Sequence, residues 1–539
     1  VGLGTHADAD AGEVLPAQPG NDTLQAVVPA CRAGGPDAQL AGGLGDIVAQ
    51  DDDVVSRDLE KARQRGDGIA GEVHVGQGFQ QHNLVAVHLT LAPQALKLGF
   101  ADADAPFARQ RVQRGKARVV AGALVFCFRV AKARDQPDVV CIHSCCFAFS
   151  FCLKKVTTLR GQYPFLLYFL PIGGVVIVFL YHLCGVRQDK GTNIIMTAVH
   201  GKNQDVPAYM APLIFAATII THLFGGSAGR EGAALQMGGS IGNTIGRLFK
   251  FDEGDRKLLV MSGMSAAFSA VFGTPLAAAI FPMEMISVGI MHYAALVPCV
   301  FSSIVANRFA VNMGINPEAF TIHGIPELTF TSCAKIVLLG IFCAGLSVVF
   351  CIFLKGAGLF YNKFFKKPYM RIIVGGLLVI AITLLIGNYD YNGAGTDMIA
   401  RAIEGNVPAY AFLIKMLLTA LTLAAGYKGG EIVPAFFTGA TFGCLFGHIF
   451  GISPSLCAAT GMLALFCGVT NCPIASMLIG FELFGFEGVS YILIAISISY
   501  MLSGYHGLYK EQIIVYSKYH PKFINRLSGD ERFDGQDYE

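Results

Sequence analysis

The segment with the sharpest chemistry is Gly225-Gly226-Ser227-Ala228-Gly229-Arg230-Glu231-Gly232, followed by Ala233-Ala234-Leu235-Gln236-Met237-Gly238. Glycines allow tight turns and leave backbone N–H groups open. A helix starting near Glu231 would aim its positive end at whatever precedes it, which makes an anion site. A carboxylate at the same place competes with the anion, and protonation releases it. Glu231 is therefore a candidate for coupling anion movement to proton movement. An ionisable side chain inside an apolar segment is a functional candidate by default. The structural alternative is an Arg230–Glu231 pair at a helix start.

The elements that carry this motif belong to a membrane. Among 539 residues, hydrophobic types make up 53%, charged types 14%, and mean hydropathy is +0.53. Soluble domains carry about 25% charged residues. A net charge of +2 gives no basic footprint for nucleic acid. The 15 cysteines are odd in number and mostly single within apolar runs, unlike a secreted disulfide framework. From Pro164 onward, apolar runs alternate with short polar breaks. They fall at 164–185, 208–224, 258–288, 290–313, 330–360, 370–388, 407–424, 431–450, 455–468, 472–484 and 489–504. Several are shorter than the ~20 residues of a straight span, and many are cut by Gly or Pro. Such segments suggest helices that stop midway and line a site.

A repeat runs through these segments. Gly263-Met264, Phe268, Pro275 and Glu284 recur as Gly461-Met462, Phe466, Pro473 and Glu482, 198 residues later. Gly229-Arg230-Glu231 pairs with Gly429-Gly430-Glu431, and Gly239 with Gly439, at an offset of 200. Two halves, 147–313 and 330–512, thus form one transport domain, and a ligand would bind where they meet.

The first 146 residues differ. Residues 1–150 hold 14 Lys/Arg and 17 Asp/Glu, while the first Tyr is Tyr163 and the first Met is Met196. Residues 1–146 read as a disordered extension or a mis-framed translation, with an unrecognised soluble domain as the other option. Phe147–Arg160 would then supply only the second half of a first membrane helix. The cluster Cys141, His143, Cys145, Cys146 and Cys152 fits no zinc spacing, so no metal is assigned. Residues 513–539 form a short charged cytoplasmic tail.

Gly-Arg-Glu-Gly opening a Gly-rich helix resembles the CLC family of anion channels and anion/proton antiporters. Gly429-Gly430-Glu431-Ile432-Val433-Pro434-Ala435 is similar to the family's other anion-site helix start, and Phe272-Gly273-Thr274-Pro275-Leu276-Ala277, ending in Glu284, to its dimer-face helix. The resemblance spans about Phe147 to Lys518. It implies an all-α polytopic fold with two inverted, pseudo-symmetric repeats of short, tilted and re-entrant helices. It also implies a homodimer in the lipid bilayer, sited in the inner membrane of a bacterium.

By the same resemblance Glu231 is the gating glutamate. Gly191, Thr192 and Asn193 match the first anion loop, and Gly229, Arg230, Gly232, Ile432 and Val433 supply anion-site backbone. Tyr509, in Gly507-Leu508-Tyr509, matches the tyrosine ligand, ahead of Tyr491 and Tyr500. Glu284 and Glu431 are secondary candidates, for proton transfer or as structural charges. Chloride-handling members have Ser in the first loop; Gly191-Thr192-Asn193-Ile194-Ile195 resembles the fluoride/proton branch, although Thr192 departs from both patterns. Met285 stands where chloride/proton exchangers carry a second glutamate. The expected activity is fluoride export driven by inward proton flow. A chloride channel or chloride/proton exchanger on the same fold is the alternative. No clustered catalytic set and no phosphate loop occur, so neither an enzyme nor a cofactor is expected.

Overall fold

A computed structural model describes residues 140–186, 191–201, 206–315, 318–520 and 522–528, with side chains from Cys145 onward. The proposed extension therefore lies outside the described residues, except for its last turns. These belong to helix α1, Val140–Gln162, which runs without a break through the 146/147 boundary and buries Cys146 and Phe149.

Sixteen α-helices follow one another among the described residues. The first half holds α1, α2 (Leu170–Leu183), α3 (Asn193–Val199), α4 (Met210–Leu223), α5 (Glu231–Leu248), α6 (Glu253–Phe272), α7 (Pro275–Met285) and α8 (Leu296–Asn312). The second holds α9 (Phe330–Phe364), α10 (Pro368–Ile386), α11 (Thr396–Ile403), α12 (Ala411–Ala425), α13 (Ile432–Phe450), α14 (Pro454–Thr470), α15 (Pro473–Phe484) and α16 (Val489–Leu502). Each helix has a counterpart in the other half. Local chemistry sets many of the ends. Proline at the first turn opens α7, α10, α14 and α15, where a missing N–H costs nothing. Left-handed Gly273 closes α6, so the apolar run expected at 258–288 is two helices with a break at Gly273-Thr274.

The long apolar helices cannot all be interior. In α9, α10 and the span Tyr293–Asn312, between 33% and 44% of the most apolar stretch is buried, against 78% in α13. Apolar residues left exposed on the first group suit lipid, whereas α13 is a core element. At 35 residues, α9 is longer than a ~30 Å hydrocarbon layer requires and must tilt or project.

Glycine lets α5 and α13 lie against their neighbours. A methyl group on Gly238 would come 2.1 Å from the carbonyl oxygen of Gly263, and one on Gly242 2.3 Å from that of Leu259. In the second half, Gly439 meets the Gly461 oxygen at 2.4 Å and Gly443 the Cys457 oxygen at 2.0 Å by the same measure. These contacts correct the repeat register. Gly439 corresponds to Gly238, not Gly239, which packs on Ile195 instead. With α5 beginning at Glu231 and α13 at Ile432, the counterpart of Glu231 is Ile432 rather than Glu431.

A second reciprocal contact joins the halves. The Glu284 carboxylate, at the end of α7, accepts from Ile474 N at 3.0 Å and Ala475 N at 2.8 Å, capping α15. Glu482, at the end of α15, accepts from Leu276 N at 2.7 Å and Ala277 N at 2.9 Å, capping α7. Each element does to the other what is done to it, as a two-fold relation requires.

One small sheet departs from the all-helical expectation. β1 (Ser287–Val288) pairs in parallel with β2 (Ile513–Tyr516), which pairs antiparallel with β3 (Phe523–Leu527). The described part of the tail is thus hydrogen-bonded into the domain.

Replacing Glu482 with Leu removes both acceptors from the start of α7. We expect a loss of roughly 2 kcal/mol, since hydrogen bonds to charged groups carry about that much. Thermal unfolding of the detergent-purified protein checks this, with Glu284→Leu showing a similar loss. Unchanged melting in both variants would refute the reciprocal caps.

Candidate functional site

The starts of α5 and α13 meet head to head. Gly229 N donates to Gly430 O at 2.6 Å, and Gly430 N donates to Gly229 O at 2.7 Å. Only glycine permits this approach. A methyl on Gly430 would lie 2.5 Å from the Gly232 nitrogen, one on Gly232 2.8 Å from Gly430 Cα, and one on Gly429 2.4 Å from Ala228 Cβ. Two positive helix ends thereby converge on one spot.

Glu231 occupies that spot. The residue is fully buried. Its Oε2 accepts from Arg230 N at 3.1 Å, its Oε1 accepts from Arg230 Nε at 3.0 Å, and its own amide also bonds the carboxylate. Arg230 Nη2 then reaches Glu318 at 3.0 Å. The Arg230–Glu231 pair foreseen as the structural alternative exists, and the same contacts seat a carboxylate where the two helix starts converge. Glu431 precedes α13 and is partly exposed; its Oε2 would be 3.4 Å from a methyl on Gly232. Ile432 and Val433 are buried at the first turn of α13.

The first-loop residues lie at the head of the short helix α3. Gly191 has a positive φ of 59°. Thr192 is buried, and its Oγ1 accepts from Gln236 Nε2 at 3.2 Å. With that lone pair engaged, the hydroxyl hydrogen stays available to an acceptor. Asn193 Oδ1 accepts from Glu511 N at 3.2 Å, so its side chain also ties the loop to the tail.

Two residues before Glu511 stands Tyr509, buried, with a hydroxyl that has no hydrogen-bond partner among the described residues. A knot of amides anchors its segment. Gln512 Nε2 donates to Met285 O and Thr470 O, both at 2.9 Å, and Gln512 Oε1 accepts from Asn471 Nδ2 at 2.9 Å. Lys518 Nζ donates to Asn471 Oδ1, Tyr500 O and Ser503 Oγ. The other tyrosine candidates are otherwise engaged. Tyr491 OH donates to Glu327 O at 2.7 Å, and the Tyr500 ring faces Lys518 Nζ at 4.5 Å.

The fold thus gathers Gly229, Arg230, Glu231, Gly232, Glu431 and Ile432 at one point. It links Thr192 to them through Gln236, and Tyr509 to the Asn193 loop through the tail. Glu284 stands apart, committed to the start of α15. Gln512 and Lys415 escape the motif reading, and Gln236, although inside the motif, had no role assigned there. Lys415, an ionisable residue inside the apolar run 407–424, carried a usable signal.

Comparison with known proteins identifies the family and the fold. The family described as "Voltage gated chloride channel" matches residues 173–504. A "Chloride/fluoride channel protein" of Pseudomonas syringae pv. tomato is 34% identical over 397 residues, covering 72% of this chain and 88% of that protein. Among solved structures, a CLC-type fluoride/proton antiporter aligns with a TM-score of 0.68 at 27% identity, covering 76% of this chain and 99% of the other. A slow cyanobacterial Cl−/H+ antiporter shares the fold, with a TM-score of 0.55 at 20% identity over 72% of this chain and 94% of its own. The chain belongs to the CLC family of voltage-gated chloride channels and their transporter relatives, and it has that family's polytopic membrane fold.

Proposed function

We propose that the protein is a fluoride/proton antiporter of a bacterial inner membrane, working as a homodimer with one pathway per subunit. The observation that carries this reading is the Glu231 carboxylate, docked on the start of α5 by Arg230 N and Arg230 Nε. Fluoride is small and strongly hydrated, so a site must replace its water with several donors. The open N–H groups near Thr192, Glu231 and Ile432, the Thr192 hydroxyl and the Tyr509 hydroxyl are such donors. When Glu231 is ionised it fills the site. When protonated it leaves, the anion takes the vacated donors, and the proton travels with the carboxyl. Inward proton flow then expels the anion. Fluoride appears in the names of both the Pseudomonas relative and the antiporter structure, which supports the choice of ion.

A chloride channel or chloride/proton exchanger is the second reading. It is favoured by the Thr192 hydroxyl, which offers one donor as the Ser of chloride-handling members does.

Two measurements on protein reconstituted in liposomes separate these readings. In the first, an outward fluoride gradient should drive proton uptake, while Glu231→Gln should cut proton movement at least about tenfold, the scale of losing a proton-transfer group. Proton-independent flux in the wild type, or unchanged coupling in the variant, would sink the antiporter. In the second, Tyr509→Phe deletes one donor from the anion. Loss of a hydrogen bond to a charged group is worth about 1.5–3 kcal/mol, so the KM for fluoride should rise roughly tenfold or more. Fluoride and chloride efflux compared side by side identify the ion.

A further inference from the structure

Two cations near the Gly225–Ser227 turn, Lys415 fully buried and Arg160 partly buried, have no ion-paired carboxylate among the described residues. Lys415, on α12, is fully buried. Its Nζ donates to Tyr391 O at 3.1 Å and Gly393 O at 2.7 Å, and lies 5.2 Å from the centroid of the Phe437 ring. Carbonyl oxygens and an aromatic face all favour an ammonium, and none of the three offers a hydrogen to an amine lone pair. Arg160, in the last turn of α1, donates from Nη1 to His222 O at 2.9 Å. Its guanidinium packs on Gly393, where an added methyl would come within 2.6 Å of it.

Ion pairs among the described residues go elsewhere. They join Arg230 to Glu231 and Glu318, Lys257 to Glu253, and Arg401 to Asp390. Asp397 lies within electrostatic reach of Arg160 without forming an ion pair. Arg230, the third cation of the region, is neutralised by two carboxylates, whereas Lys415 and Arg160 are not. Burying a charge without a counter-charge is costly, and an anion passing close by would offset that cost.

Their place in the chain says which anion. The 391–393 segment is sewn to the turn before Glu231. Asn392 Nδ2 donates to Gly225 O at 2.7 Å, Gly393 N donates to Gly226 O at 3.0 Å, and Ser227 Oγ donates to Tyr391 O at 2.9 Å. The carbonyl of Tyr391 therefore receives Lys415 and Ser227 together. We infer that Lys415 and Arg160 form an electrostatic station of the anion pathway, holding positive potential on the Gly225–Ser227 turn and raising the affinity of the site for small inorganic anions. This rests on the anion-transport reading above.

The test is the concentration dependence of fluoride flux in liposomes at low ionic strength. Lys415→Met should raise KM about tenfold, within the range expected of a focused field, with the proton-to-anion ratio unchanged. Lys415→Arg should stay close to wild type, and added impermeant salt should not erase the difference, because buried charges are weakly screened. Arg160→Gln should shift KM in the same direction, and it keeps the test open if Lys415→Met fails to fold. A wild-type KM in Lys415→Met or Arg160→Gln, with only the melting temperature lowered, would overturn the inference and leave the two cations as struts. Failure of the antiporter reading looks different: the wild type would then show no coupled proton movement, whereas KM for the anion would still report on the station.

Discussion

Everything at this site depends on the pair of hydrogen bonds between Gly229 and Gly430. They bring the starts of α5 and α13 together with their positive ends on one place. Two such ends repel unless something negative stands between them or beside them. Glu231 supplies that charge from within the chain, and in the proposed function an external anion supplies it instead. Under the proposed function, competition between carboxylate and anion follows from this helix arrangement. A side chain at Gly229, Gly430 or Gly232 would force the helix starts apart and dissolve the convergence.

The same economy runs through the scaffold. In lipid, apolar surface gains little by leaving its surroundings, so helices associate through close packing and satisfied polar groups. The Gly238/Gly242 face against α6 and the Gly439/Gly443 face against α14 provide the packing. Glu284 and Glu482 provide the polar suture, each satisfying N–H groups that a helix start would otherwise leave bare. Both devices occur twice and correspond, so the repeat preserves the physics of the joints more closely than the residues elsewhere.

Much of this was legible in the sequence because glycine, proline and glutamate carry it. Gly-Arg-Glu-Gly marked the start of α5, Gly-Gly-Glu-Ile-Val-Pro that of α13, and the 198-residue repeat of Pro275 and Glu284 foretold a matched helix pair. The one-residue error in register arose because Glu231 and Glu431 look alike in sequence, while the packing faces that decide correspondence are glycines with no distinguishing side chain. For Glu284 the sequence left proton transfer and a structural charge both open, because its partners are backbone amides of α15 almost two hundred residues away. The break at Gly273-Thr274 was hidden by apolar residues on both sides of it. Lys415 was visible as a charge in an apolar run, but its lack of a carboxylate partner is a property of the folded chain alone.

The tail gives the last step. Residues 513–527 read in sequence as an appendage, yet they pair with β1 and, through Gln512, Asn471 and Lys518, knit together the ends of α7, α14 and α16. The product of that knot is the placement of Tyr509, whose hydroxyl is buried with no acceptor among the described residues. A buried donor left unsatisfied costs about 1–3 kcal/mol, and the chain spends several hydrogen bonds to hold it there. In the proposed function, an arriving anion is the acceptor that removes that cost. Glu511, two residues on, donates its amide to Asn193 of the first loop, so the segment that carries Tyr509 is tied to the loop that carries Thr192. On the proposed reading, the affinity of the site for its ion depends on the strand pairing of 513–527 as well as on the helix starts of α5 and α13.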